Sequence, residues 1–148
     1  MEVPFSPPDI SELEINEVAD ALRSGWITTG PRTKQLEKEI AEWIGVNKCV
    51  CLNSQTACAE MALHILGIGG GDEVIVPAYT YTASASVVCH VGATLKLIDS
   101  QVDSLEMDYD ALEKAITDKT KVIIPVDLGG VPCDYARIFE IVEKKKSL

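Results

Sequence analysis

Apolar residues fall at helical spacing along the first third of the chain. From about residue 47 they gather instead into short unbroken runs with helical stretches between them. Ile15, Val18, Ala19 and Leu22 stand at i, i+3, i+4 and i+7, which predicts a helix over 11–24. Ser11 and Glu14 have the spacing of a capping box at its start, and Gly25 stops it. After the loop "GWITTGP" a second helix is predicted from about Thr33. It carries Leu36, Ile40, Trp43 and Ile44 on one face and ends at Gly45.

The runs "KCVCL" (48–52), "EVIVP" (73–77), "TLKLID" (94–99) and "KVIIPV" (121–126) read as strands. Helices are predicted between and after them, over 55–66, 82–90, 108–117 and 134–146, with Asp108 and Asp134 as caps. Strands that are apolar throughout suit a mainly parallel sheet flanked by helices on both faces. Strand and helix in alternation define an α/β fold. The expected organisation is a helical lead-in segment, 1–46, followed by β/α units over 47–148.

Composition narrows the partners. A formal charge of −10 argues against nucleic acid or an anionic membrane. The start "MEVPFSPPDI" lacks the basic and apolar regions of a secretory signal, and no run of about 18 apolar residues occurs. Cys49, Cys51, Cys58, Cys89 and Cys133 form no CxxC pair, and with only His64 and His90 beside them no metal-ligand spacing arises. Buried, reduced thiols in a cytoplasmic protein are the expectation.

Ligands of open α/β sheets bind outside the carboxyl ends of the strands, and three segments place unusual residues there. "NSQT" joins the run 48–52 directly to a helix, so the backbone N–H groups of Gln55 and Thr56, with the hydroxyls of Ser54 and Thr56, can hold an anion. Ser54 can equally be a plain N-cap. In "VPAYTYTASA" two tyrosines follow the strand-ending Pro77; a ring there lies against a planar ligand or packs in the core. Small residues after them let the next helix approach the sheet. In "PVDLGGVPCD" Asp127 follows a strand, where it meets a ligand or caps the turn. "GIGGGD" precedes a strand and is a turn, not a dinucleotide loop, and no P-loop sequence occurs.

Taken together, "NSQTACAEMALHILGIGGGDEVIVPAYTYTASASVVCHVGATLKLID", "KTKVIIPVDLGG" and the earlier "GWITTGPRTKQLEKEIAEWIGV" resemble the amino-terminal part of the DegT/StrS group of sugar aminotransferases. These are pyridoxal-phosphate (PLP) enzymes of the aspartate-aminotransferase fold. The resemblance implies that the anion is the phosphate of PLP, held at Ser54, Gln55 and Thr56, and that Tyr81 stacks on the pyridine ring while Tyr79 packs. It further implies Asp127 at the cofactor crevice and Thr28 and Thr29 toward a sugar nucleotide. Gln55 replaces the usual Ala, which leaves its N–H unaffected; "VDLGG" stands where many members have a His and an aromatic-Gly pair. Lys34, Lys48, Lys96 and Lys121 match no Schiff-base position, and the Lys144–Lys146 run reads as cations near a helix end. The Schiff-base lysine and the aspartate that pairs with the pyridine nitrogen are expected beyond residue 148, so the chain reads as a fragment that does not transaminate alone. The implied partners are a keto sugar nucleotide, an amino-acid donor and a second copy in a homodimer, in amino-sugar or cell-surface polysaccharide biosynthesis. A PLP-dependent sugar dehydratase of the same group, or a non-catalytic homologue, is the alternative.

Overall fold

The computed structural model describes residues 7–146. The chain divides into two compact units, Met1–Cys51 and Leu52–Leu148.

The first unit holds α1 (Glu12–Arg23) and α2 (Pro31–Ile44). At the start of α1 the Ser11 N–H donates to Glu14 Oε2 (2.6 Å) and Ser11 Oγ accepts from Leu13 N (3.2 Å), the expected capping box. Gly45 adopts a left-handed φ of +80° just past α2, which lets the chain leave the helix without a Cβ clash. Gly30, before α2, is buried under the Trp26 indole, whose Nε1 donates to the Thr29 carbonyl (3.1 Å), and a Cβ at position 30 would run into that ring. The apolar stripes form as spaced, yet α1 buries none of its residues and α2 only Ala41. Residues 48–52 are not a strand. A strand needs a neighbour for its backbone groups; here Cys51 N donates to Glu37 Oε1 (2.9 Å) on α2 instead.

The second unit runs α3 (Gln55–Ile65), β1 (Glu73–Pro77), α4 (Ala83–His90), β2 (Thr94–Ile98), α5 (Tyr109–Ala115), β3 (Thr120–Ile123), a 3-10 turn (Leu128–Gly130) and α6 (Tyr135–Lys146). Among the described residues three strands, where four were predicted, form a parallel sheet in the order β2-β1-β3. The last strand is shorter than its apolar run. Ile124 N still reaches Ile75 O (2.9 Å), but Pro125 has no N–H and the ladder ends. The predicted caps are present, with Asp108 Oδ1 accepting from Asp110 N and Ala111 N and Asp134 Oδ1 from Arg137 N.

Alternation along β1 builds two cores. Val74 and Val76 join Leu63 of α3 and Val87 and Val88 of α4 on one face. Ile75 joins Ile98, Met107, Leu112, Ile138 and Ile141 on the other, beneath α5 and α6. Each such side chain contributes about 1.5–3 kcal/mol of burial. The expected burial of every thiol fails. Cys133 is buried and Cys49 and Cys51 are half-buried, but Cys58 and Cys89 lie exposed on α3 and α4, and no disulfide joins the described cysteines. No helix among the described residues is long and apolar enough to cross a membrane.

Candidate functional site

The site is built at one end of the α3–α4 layer. Ser54 has extended backbone and caps α3, its Oγ accepting from Ala57 N (3.1 Å) while its carbonyl takes Cys58 N (3.1 Å). A hydroxyl that accepts in a cap still has its own hydrogen to give, so the two readings of Ser54 are compatible. Gln55 and Thr56 occupy the first helical positions, where an N–H has no acceptor within the helix. Ser54 and Gln55 are exposed and Thr56 is half-buried.

Tyr79 and Tyr81 are 59 % and 81 % exposed. Neither ring is packed in a core of the described residues, including Tyr79, for which packing was expected. The backbone behind them is fixed: the Tyr81 carbonyl accepts from Ser84 N (3.1 Å), the Thr82 carbonyl from Ala85 N and Ser86 N, and Thr80 Oγ1 lies 3.4 Å from Ser84 Oγ.

The α3 start and Tyr81 come to the same end of the unit. Gly69 and Gly70, beyond the end of α3, lie beside the carbonyls of Val91 and Gly92, beyond the end of α4. Glu60 Oε2 and His90 Nδ1 join the two helices at 2.7 Å. With their ends together the helices run in the same direction, so their starts share the opposite end. That end is the carboxyl edge of the sheet, because Pro77 leads through residues 78–82 straight into α4.

Asp127 follows β3 on the same edge. The chain leaves β1 toward the α4 layer and β3 toward the α6 layer, so the carboxyl ends of these neighbouring strands flank a topological switch point. Asp127 Oδ1 accepts from Cys133 N (2.9 Å) and Tyr135 Oη (2.9 Å), and Cys133 Sγ donates to the Val126 carbonyl. The Cys133 N–H first, then the Tyr135 hydroxyl, hold the Asp127 carboxyl below its ordinary range. Of its two readings, closure of the loop is the one whose bonds are present. Thr28 and Thr29 lie exposed in the first unit, in the loop before α2.

Lys96 Nζ bonds Glu73 Oε2 (2.8 Å) and the Ala115 carbonyl (3.1 Å), and Lys121 Nζ bonds the Asp118 carbonyl (3.0 Å). Glu73 begins β1, so Lys96 is spent toward the end of the sheet away from Tyr81. The residues at the carboxyl edge fit a phosphate-bearing aromatic: unpaired helical N–H groups, two hydroxyls with no carboxylate among Ser54–Thr56, and an uncovered ring. Sequence reasoning passed over residues 99–105, which follow β2 on this edge. Their polar run "DSQVDSL" behind a strand was the available signal.

Among the curated proteins to which the chain is similar, two illustrate the likeness. One is the spore coat polysaccharide biosynthesis protein SpsC of Bacillus subtilis, 40 % identical over 141 residues, 95 % of this chain and 36 % of that protein. The other is the UDP-4-amino-4-deoxy-L-arabinose–oxoglutarate aminotransferase of Shewanella sediminis, 41 % identical over 144 residues, 97 % of this chain and 37 % of that protein. This chain thus spans little more than a third of their length. A protein described as a sugar aminotransferase, Spr1654 of Streptococcus pneumoniae, superposes in its PMP form at a TM-score of 0.94 and 62 % identity, covering 99 % of this chain and 37 % of that one. The same protein in its PLP form gives 0.94 and 62 %. The three-stranded sheet and its helices are accordingly part of a PLP-dependent aminotransferase fold. Residues 8–147 match the DegT/DnrJ/EryC1/StrS aminotransferase family, and to that family the chain belongs.

Proposed function

We propose that this chain supplies the phosphate grip and the ring platform of a PLP-dependent aminotransferase. The enzyme moves nitrogen from an amino-acid donor to a keto sugar nucleotide, in amino-sugar or polysaccharide biosynthesis. The observation that carries this is the common placement of the α3 start and the exposed Tyr81 at the carboxyl edge of one layer. Similarity to the arabinose-amine aminotransferase and the spore coat protein supports the substrate class.

PLP, when bound, supplies the electron sink for amino-group exchange. The residues here bind and orient. Gln55 N–H and Thr56 N–H would donate to the phosphate, the positive end of α3 would favour its charge, and the Ser54 and Thr56 hydroxyls would add donors. The Tyr81 ring would lie along the pyridine face and keep water from it. Asp127 holds the loop that closes the crevice behind β3. Thr28 and Thr29 are assigned to the sugar nucleotide on the resemblance alone. Lys96 and Lys121, engaged toward the other end of the sheet, are not placed to act as base beside Tyr81, so turnover by this chain alone is not expected. Homodimer formation and a cytoplasmic location belong to the same proposal.

The test is equilibrium titration with PLP, followed by absorbance and by competition with inorganic phosphate. Tyr81→Ala should weaken binding roughly five- to ten-fold, and Thr56→Ala should lower the competing power of phosphate. Binding that neither substitution alters, or no binding by the full protein, would overturn the reading. Amino transfer to a keto sugar nucleotide, with no loss of a hydroxyl from it, separates the aminotransferase from the dehydratase alternative.

A further inference from the structure

The loop between α1 and α2 is pinned by its own tryptophan. At its start Ser24 Oγ donates to the Ala21 carbonyl in the last turn of α1 (2.6 Å) and accepts from Trp26 N (3.2 Å). The indole then folds back over the end of the loop, where its Nε1 donates to the Thr29 carbonyl (3.1 Å) and its ring covers Gly30. Gly30 has extended backbone, a conformation open to any residue, so its φ does not call for glycine. The close approach of the ring does. A Cβ at position 30 would meet three atoms of the indole, and Gly30 is buried while every other residue from Leu22 to Arg32 is exposed. Both stems are fixed as well: the Gly30 carbonyl accepts from Lys34 N (3.1 Å) at the start of α2, and Arg32 on α2 pairs with Glu17 on α1.

Thr28 and Thr29 stand at the crest of this clamp. Both are exposed, and their hydroxyls have no partner among the described residues. An indole that is itself 57 % exposed adds little to a core; what it holds is the backbone on which the two threonines sit. A hydroxyl on a loose loop must be ordered as it binds, which weakens binding, whereas one on a loop already held avoids that cost. The clamp therefore acts through its neighbours, by fixing where two free hydroxyls point.

We propose that Trp26 is the positioning residue of this loop, its indole seated on Gly30 so that Thr28 and Thr29 meet the substrate in one fixed arrangement. The identity of that substrate rests on the sugar-nucleotide assignment made above. The test is isothermal titration of the full protein with UDP-, GDP- and dTDP-glucose as probes. Trp26→Ala removes the ring, and Gly30→Ala displaces it with a methyl group from the other side. Each should weaken binding of the preferred probe roughly five- to twenty-fold, and the two together should be no worse than either alone. Trp26→Phe keeps a ring on Gly30 without the Nε1–H and should stay within roughly two- to four-fold of the wild type. Once Thr28→Ala and Thr29→Ala have removed both hydroxyls, Trp26→Ala should have no further effect, which a merely structural residue would not show. The PLP titration should be unchanged throughout. Gly30→Ala, checked by circular dichroism, takes the place of Trp26→Ala if the latter fails to fold. Single variants that bind as the wild type does, additive losses in the pair, or a full loss from Trp26→Ala without the two hydroxyls would overturn the proposal. A wild type that binds PLP but none of the probes overturns instead the sugar-nucleotide reading, and the role given to Trp26 falls with it.

Discussion

Tyr109 is engaged on three sides in the second unit. Its hydroxyl donates to Glu106 Oε2 (2.6 Å) and accepts from Asp134 N (2.7 Å), and the Arg137 guanidinium sits 5.5 Å above its ring. Burial first, and the Glu106 carboxylate next, push the phenol up to about 12. Tyr109→Phe strands the Asp134 N–H at the start of α6 and should cost about 1–2 kcal/mol by urea denaturation near neutral pH. A raised folded value means that the unfolded chain gives up its proton first. The contribution is therefore complete below about pH 10 and lost toward about 12; denaturation across that range should show the decline in the wild type and a smaller one in Tyr109→Phe. Glu73 behaves oppositely. The Lys96 ammonium first, then the Thr117 hydroxyl (2.6 Å), hold its carboxyl below the ordinary value. Its contribution is present above about pH 4.5 and lost as pH falls through the lower folded value. Glu73→Gln should lower the denaturation midpoint at neutral pH and flatten the acid decline.

Elements that carry their own start and stop signals were legible in the sequence. Ser11 with Glu14, Asp108, Asp134 and Gly45 all act within a few residues of themselves, and each is found where the chain predicts it. The run 48–52 failed as a strand because pairing needs a distant partner that periodicity does not reveal. Tyr79 failed as packing for a related reason: an aromatic next to a buried strand looks like core until the fold shows which side is open. Ser54 and Tyr81 were legible as candidates, but their shared end depends on the direction in which α3 and α4 lie together. At the α3 start, Ser54→Ala removes the bond from Ala57 N and should cost about 1 kcal/mol of stability. It should also weaken PLP binding, which separates it from a cap change with no bearing on the site. Thermal unfolding with and without PLP measures both.

Across the whole molecule the spacing of apolar residues told which positions share a face, and much less about what covers them. The stripes of α1 and α2 form as spaced, yet Val18, Leu22 and Trp43 are exposed. In the second unit the same kind of pattern is enclosed, because the sheet offers two faces and helices cover both. β1 is central there. It sends Val74 and Val76 to one core and Ile75 to the other, and it alone of the described strands has a ladder on each edge. Its amides are thus locked twice over, and loosening one layer leaves the strand clamped by the other. In heavy water the Val74–Val76 amides should be the last of this unit to take up deuterium, at a rate set by global unfolding, while those of α5 and α6 exchange through smaller openings.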